Sequence, residues 1–120
     1  MKGKGYLTKP RQFASVYNEG KSWVSRVLVM KVLPNGLDYS RYGFSLSRHV
    51  GGALTRNRVK RVLREILRPM PLQEGWDIVF IARSPASASK YAQLRESVEA
   101  LLYQAQLLMR NDEKVCLKTN

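Results

Sequence analysis

Residues 55–68 read TRNRVKRVLREILR, with six Lys or Arg side chains in fourteen positions and Val59, Val62, Leu63, Ile66 and Leu67 threaded between them. Placed on a helix at about 100° per residue, those five aliphatics fall at i, i+3, i+4, i+7 and i+8 and form one stripe. Asn57, Arg61, Arg64 and Arg68, spaced by four, three and four, lie on the opposite side, and Lys60 borders the stripe. Pro69 ends the helix, because its ring disfavours the helical conformation of the residue before it. One face is therefore core and the other strongly positive. The apolar face requires a sheet or another helix to lie against.

The flanking sequence supplies a sheet. WVSRVLVMKVL, residues 23–33, is rich in β-branched residues and stops at Pro34-Asn35-Gly36, so it reads as one long strand. Tyr42, Phe44 and Leu46 alternate with Gly43, Ser45 and Ser47, the period of a strand with one packed face and one small polar face. These two strands are expected to form a hairpin. DIVFIA, residues 77–82, is a short apolar run that suits a strand covered on both sides. Upstream, Thr8 is the expected cap of a helix over 9–18 whose Phe13, Val16 and Tyr17 share a face and which Gly20 ends. Downstream, Tyr91, Leu94, Val98, Leu101, Leu102, Ala105 and Leu108 form the stripe of a long amphipathic helix. The order helix, strand, strand, helix, strand, helix belongs to the α+β class, with helices packed on a small mixed sheet.

With 120 residues and 13.7 kDa, the chain is expected to form one domain over 1–120, frayed at about 1–6 and 111–120. Lys and Arg number 21 against nine Asp and Glu, a net charge of +12 with a pI near 10.3. Such an excess points to a polyanionic partner. No apolar run approaches the roughly 18 residues needed to span a bilayer, and the basic start lacks the apolar segment of a secretory signal. The single cysteine, Cys116, has neither a CxxC partner nor a histidine cluster, so a structural zinc site is not expected and a reducing cytoplasm fits.

The positive face of residues 55–68 is poorly explained as an ordinary solvated surface. Glu65 is the only acid in the stretch, whereas a merely solvated helix interleaves Glu with Lys or Arg. Arg56 and Arg58 lie near a helix N-terminus that repels each by up to about 1 kcal/mol. Phosphates relieve that repulsion, and five arginines to one lysine favour bidentate contacts. A membrane-surface helix would need its apolar stripe free, and this stripe lacks aromatics.

At this point a family pattern is visible. GFSLSRHVGGALTRNRVKRVLREILR (43–68), WDIVFIARSPAS (76–87) and FASVYNEGKS (13–22) resemble the protein subunit of bacterial ribonuclease P over roughly residues 7–108, and RNRxKRxxRE is a specific motif. The resemblance implies a ribosomal-protein S5 domain 2-like α/β sandwich with a left-handed crossover. It further implies a cytoplasmic protein without an obligate protein partner, which binds a catalytic RNA subunit and assists removal of the 5′ leader from precursor tRNA. By the same resemblance Arg56, Asn57, Arg58, Lys60, Arg61, Arg64 and Arg68, with Arg48 ahead of them, face the catalytic RNA. Phe13 and Tyr17 line a leader cleft, and Ser45 and Ser47 are candidates for its floor. Where the family usually carries a lysine pair and a further lysine before the motif, this chain has Arg48-His49 and Gly52.

Hydrolysis by the chain itself would need clustered carboxylates with metals or a paired histidine. The acids are scattered, His49 is alone, and no GxSxG elbow is present. No catalytic residue and no metal ligand is expected in the chain, and Mg²⁺ is expected to be held mainly by the RNA. Two other classes fit the composition: a ribosomal protein or general RNA chaperone, and a DNA-binding helix-turn-helix with 55–68 as its recognition helix. The second lacks a short helix upstream.

Overall fold

The computed structural model describes residues 5–108. Five strands, β1 (Gly5–Tyr6), β2 (Lys21–Val24), β3 (Leu28–Pro34), β4 (Arg41–Ser45) and β5 (Trp76–Ala82), form one mixed sheet in the order β1-β4-β5-β3-β2. β1, β4 and β5 run parallel, and β3 and β2 continue the sheet antiparallel. Three helices, α1 (Pro10–Glu19), α2 (Ala53–Leu67) and α3 (Tyr91–Gln104), pack on it. The expected α+β architecture holds.

The central strand is the one whose apolar run is continuous. Successive side chains of β5 point to opposite faces. Ile78 and Phe80 join Val59, Leu63, Ile66 and Leu67 of α2 and Leu94, Val98, Leu101 and Leu102 of α3 in the main core. Val79 turns the other way, into a smaller cluster with Leu7 and Val16, against which Phe13, Leu33 and Ile81 pack. Helices α2 and α3 thus cover one face and α1 part of the other.

Several expectations are corrected. Residues 23–33 are not one strand: Ser25 turns the chain into a β2–β3 hairpin, its N–H donating to Leu28 O at 2.7 Å and its Oγ accepting from Leu28 N at 3.1 Å. A serine closes this turn without glycine or proline, so the usual signal is missing. The expected hairpin between residues 23–33 and 42–47 does not form either. The six-residue connection 35–40 lets β3 and β4 separate, and the crossover through α2 brings β5 between them. At the N-terminus, Gly5–Tyr6 are paired with β4 rather than frayed, Gly5 N donating to Ser40 O at 2.9 Å.

Helix ends differ as well. Lys9 takes the cap position expected of Thr8, and Gln12 Oε1 accepts from the N–H groups of both Thr8 and Lys9. Gly20 ends α1 because a Cβ there would lie 2.6 Å from the carbonyl oxygens of Val16 and Val32. α3 stops at Gln104: Gln106 adopts φ 61°, Gln106 N donates to Tyr103 O and Leu107 N to Leu102 O, a left-handed helix terminus built without glycine. Leu108, expected on the helical stripe, instead bridges to Leu72. Cys116 and residues 111–120 lie outside the described residues.

A polar clamp fixes where β4 meets β5. Arg41 donates to Asp77 through Nε at 2.8 Å and Nη2 at 2.7 Å, and Asn35 Nδ2 donates to the same carboxylate at 2.9 Å. Arg41 and Asp77 are also register partners across the two parallel strands. The shared carboxylate raises the Arg41 pKa above its ordinary value. Ser40 Oγ donates to Gln73 O and accepts from Trp76 N at 3.0 Å, closing the same end. Asp77 is buried and Arg41 partly so. Asp77→Ala should therefore cost about 2–4 kcal/mol in denaturant unfolding, and a double-mutant cycle with Arg41→Ala should show coupling above about 1 kcal/mol. Additive losses would remove the clamp from the account of the register.

Candidate nucleic-acid interface

Helix α2 carries the charge because its other side is anchored. Val59, Leu63, Ile66 and Leu67 are at most 1% exposed, and Val62 packs at the margin. Burying four such side chains contributes on the order of 6–12 kcal/mol. The repulsion of Arg56 and Arg58 at the helix start is at most about 2 kcal/mol together. Burial wins, and the positive face is held out by the core. No acid lies in the first turn, and the cap residue Gly52 offers no side chain to the free N–H groups.

The candidates do not all stand alike. Asn57, Arg61 and Arg68 are exposed; Arg56, Lys60 and Arg64 are half-buried. From Arg56 to Arg68 the helix rises about 18 Å. Arg58 is partly committed elsewhere, its Nη2 donating to Ser87 O at 2.9 Å and so tying α2 to the 3-10 turn Ser84–Ala88. Arg64 and Arg68 approach the β1–β4 edge of the sheet. Burial and a hydrogen bond with Tyr6 push the Tyr42 phenol up to about 12, and these two guanidiniums oppose the shift.

Arg48 and His49 lie exposed in a second 3-10 turn, Arg48–Val50, that leads into α2. Gly51, at φ 141°, occupies backbone that L side chains rarely adopt. Gly52 has φ −73° and open space around it, so nothing in the fold demands a glycine there. Ser47 lies beyond β4, and its Oγ accepts from His49 N at 3.2 Å, capping this turn. It serves the turn before it serves any cleft.

Between α1 and the sheet lies a second surface. Phe13 presses on Gly43, where a Cβ would stand 2.6 Å from its ring. Tyr17, 38% exposed, lies 6.4 Å from the Phe13 ring centre. Register partners Val24, Val29, Ile81 and Ser45 form a row across β2, β3, β5 and β4 on the face that α1 only partly covers. None of the four is fully buried, and Val24 is 61% exposed. The structure thus brings Phe13, Tyr17 and Ser45 to one face. Val24, Val29 and Ile81 were not singled out from sequence, because reading 23–33 as one strand hid that Val24 and Val29 face each other.

A third feature was also missed. Phe44, Leu46, Ala53, Arg56, Asn57 and Lys60 line a half-open, mostly polar hollow of about 270 Å³ between the end of β4 and the start of α2.

Neither surface holds a catalytic constellation. Among the described residues no group of three or more His, Cys, Asp or Glu side chains could hold a metal ion, and Asp77 is already paired with Arg41. No helix among them is long and apolar enough to cross a membrane. A strand and a 3-10 turn precede α2, where a helix-turn-helix would require a helix.

Comparison with known proteins agrees with this geometry. A family model described as ribonuclease P matches residues 1–106. The ribonuclease P protein component of Dehalococcoides mccartyi strain CBDB1 is 47% identical over 120 residues, covering 100% of both chains. The solved RNase P protein of Staphylococcus aureus shares the fold with a TM-score of 0.78 and 29% identity, covering 91% of this chain and 100% of that one. For the RNase P protein of Thermotoga maritima the values are 0.74 and 36%, with 82% and 96% covered. An anchored basic helix on a shared fold, matched along nearly the whole sequence, places the chain in the ribonuclease P family, as a protein component of that endoribonuclease.

Proposed function

We propose that the chain acts as a single RNA-binding domain over 1–120, an accessory subunit that leaves the chemistry of ribonuclease P to its RNA. The positive face of α2, with Arg56, Asn57, Arg58, Lys60, Arg61, Arg64 and Arg68, binds the catalytic RNA, and Arg48 extends that face. The cleft beside α1 receives the 5′ leader of precursor tRNA. The complex removes the leader and leaves the mature tRNA 5′ end, in the cytoplasm. The observation that carries this reading is the uncompensated charge on a helix whose opposite side is fully committed to the core.

The cleft suits a single strand whose sequence varies. Phe13 and Tyr17 offer aromatic faces, and a base can stack on either without its edge being read. Val24, Val29 and Ile81 give an apolar floor and Ser45 a hydroxyl, while Ser47 keeps its oxygen on the turn. Phe13 is both packing and platform, since one side presses on Gly43 and part of the ring stays open. His49 supplies no base catalysis in this reading, for no carboxylate orients it within the described residues.

The family implies Mg²⁺, and the described residues do not fit a protein site for it. In this reading the ion is held mainly by the RNA. Positive charge from α2 offsets the negative potential of packed phosphates and reduces how much free Mg²⁺ the RNA requires.

Two measurements test this reading. If about six to ten phosphates are neutralised, the affinity for catalytic RNA falls steeply with salt, and Arg64→Ala makes the log–log slope shallower by roughly one contact. An unchanged slope and affinity would return Arg64 to an ordinary solvated face. Phe13→Ala should weaken holoenzyme binding of precursor tRNA by about 1–3 kcal/mol while mature tRNA binding stays nearly constant. Equal losses for both substrates would mark Phe13 as packing alone.

A further inference from the structure

The cleft beside α1 has a second margin, on the side away from that helix. Along β5 the side chains facing α1 are Val79, Ile81 and, one step beyond the strand, Arg83, because successive residues alternate and Arg83 keeps extended backbone with φ −95° and ψ 163°. Val79 lies under α1, and Ile81 belongs to the open row of Val24, Val29, Ile81 and Ser45. Arg83 therefore bounds that row opposite α1. The β2–β3 turn holds it there: its N–H donates to Val27 O at 2.9 Å and its Nη1 to Ser25 O at 2.8 Å, so it grips the carbonyls on both sides of Arg26. Both arginines are exposed, and among the described residues neither forms an ion pair with a carboxylate. A solvated surface arginine is usually free to rotate. One N–H of Arg83 is already committed to a carbonyl, which fixes the guanidinium and leaves the rest of its fork for a partner. Arg48, exposed in the turn that lies against Ser84–Ala88, continues this margin toward α2.

We propose that Arg83 and Arg26 form a phosphate rail along this margin, so that the 5′ leader crosses the cleft with its bases toward Phe13 and Tyr17 and its phosphodiesters toward the two guanidiniums. The proposal rests on the reading of the cleft as the leader site and adds how the strand is oriented in it. From Val79 to Arg83 the chain advances about 13 Å, room for one extended strand over the open row. A single strand has two unlike sides, and this cleft has two unlike sides to match. An apolar ligand would use the floor and leave both guanidiniums idle. A free anion would use the guanidiniums and leave the floor and the rings idle. The rail also gives the cleft a direction. With the catalytic RNA on α2, the leader enters at the Arg48 end and passes Arg83, at the end of the central strand, before Arg26 in the turn toward the β2 edge of the sheet. Arg26 then meets nucleotides farther from the cleavage site than Arg83 does.

The test uses the holoenzyme, the full chain assembled with its cognate catalytic RNA, and precursor tRNAs whose leaders are lengthened one nucleotide at a time. Arg83→Gln should weaken precursor binding by about 3- to 10-fold and make its log–log salt slope shallower by roughly one, with mature tRNA bound as before. Arg26→Gln should begin to weaken binding at a greater leader length than Arg83→Gln does. The Arg26 side chain is exposed in the turn, so its variant reports on the rail even if Arg83→Gln disturbs the turn. Neutralising single leader linkages as methylphosphonates should cost the wild-type holoenzyme a similar factor at the contacted linkage, and that loss should vanish in Arg83→Gln. Unchanged precursor binding in both variants, equal losses for precursor and mature tRNA, or a methylphosphonate loss that adds in full to that of the variants overturns the rail, even where Phe13→Ala is leader-selective. Wild-type binding that ignores the leader altogether overturns the cleft reading itself.

Discussion

Burial of Val59, Leu63, Ile66 and Leu67 against the sheet fixes everything that α2 can do. These side chains hold the helix with one orientation, so that Arg61 and Arg68 on the opposite side stand exposed. A free basic helix would lie its apolar stripe on a membrane or on another chain. Here the stripe is spent on Phe80, Ile78 and the α3 leucines, and only the charge remains for a partner. Because the stabilising term is several times the repulsion at the helix start, the fold tolerates an uncapped and cation-rich first turn that would otherwise fray. Only the first turn is locally repulsive, and an anionic partner would relieve that repulsion.

The same sheet separates the two surfaces. Because β5 inserts between β4 and β3, Phe80 and Val79 serve opposite layers, one under α2 and one under α1. The clamp of Arg41, Asp77 and Asn35 sets how β4 lies beside β5. It thereby places Gly43 under Phe13 on one face and Phe44 beside α2 on the other. A shift of one residue in that register would exchange the two faces, putting glycine where the Phe44 ring packs against Tyr42 and Phe80. The charge face and the cleft depend on one alignment of two parallel strands.

What could be read in the sequence was local and periodic. The stripe and face of α2 were legible because 3.6-residue spacing separates Val59 from Arg61 without reference to any other element. β5 was legible because an apolar run between Gly75 and Pro85 has few other uses. The β2–β3 turn was not, since Ser25 closes it with its own hydroxyl and leaves Trp23 to Leu33 looking like one strand. Strand order was not legible either, because the choice of β5 as neighbour of β4 depends on a carboxylate 36 residues away from its arginine. For the site, the basic residues were named from the motif, while the floor of the cleft and the wall of the hollow required the strands to be placed. Arg58 shows the limit most plainly: nothing local indicates that one of its N–H groups is used by the carbonyl of Ser87.

The central claim is that this chain supplies charge and positioning to an RNA that performs the cleavage. The most direct measurement is cleavage of a precursor tRNA at low Mg²⁺ by the chain alone, by the catalytic RNA alone, and by the two together. The account predicts product only for the pair, with the RNA alone recovering activity as Mg²⁺ is raised, because free cations then replace the α2 arginines. His49→Ala should leave the maximal rate of the pair within a few-fold, where loss of a general base would cost on the order of 10²–10⁴. Robust cleavage by the RNA-free chain, or a loss of that size at His49, would contradict it.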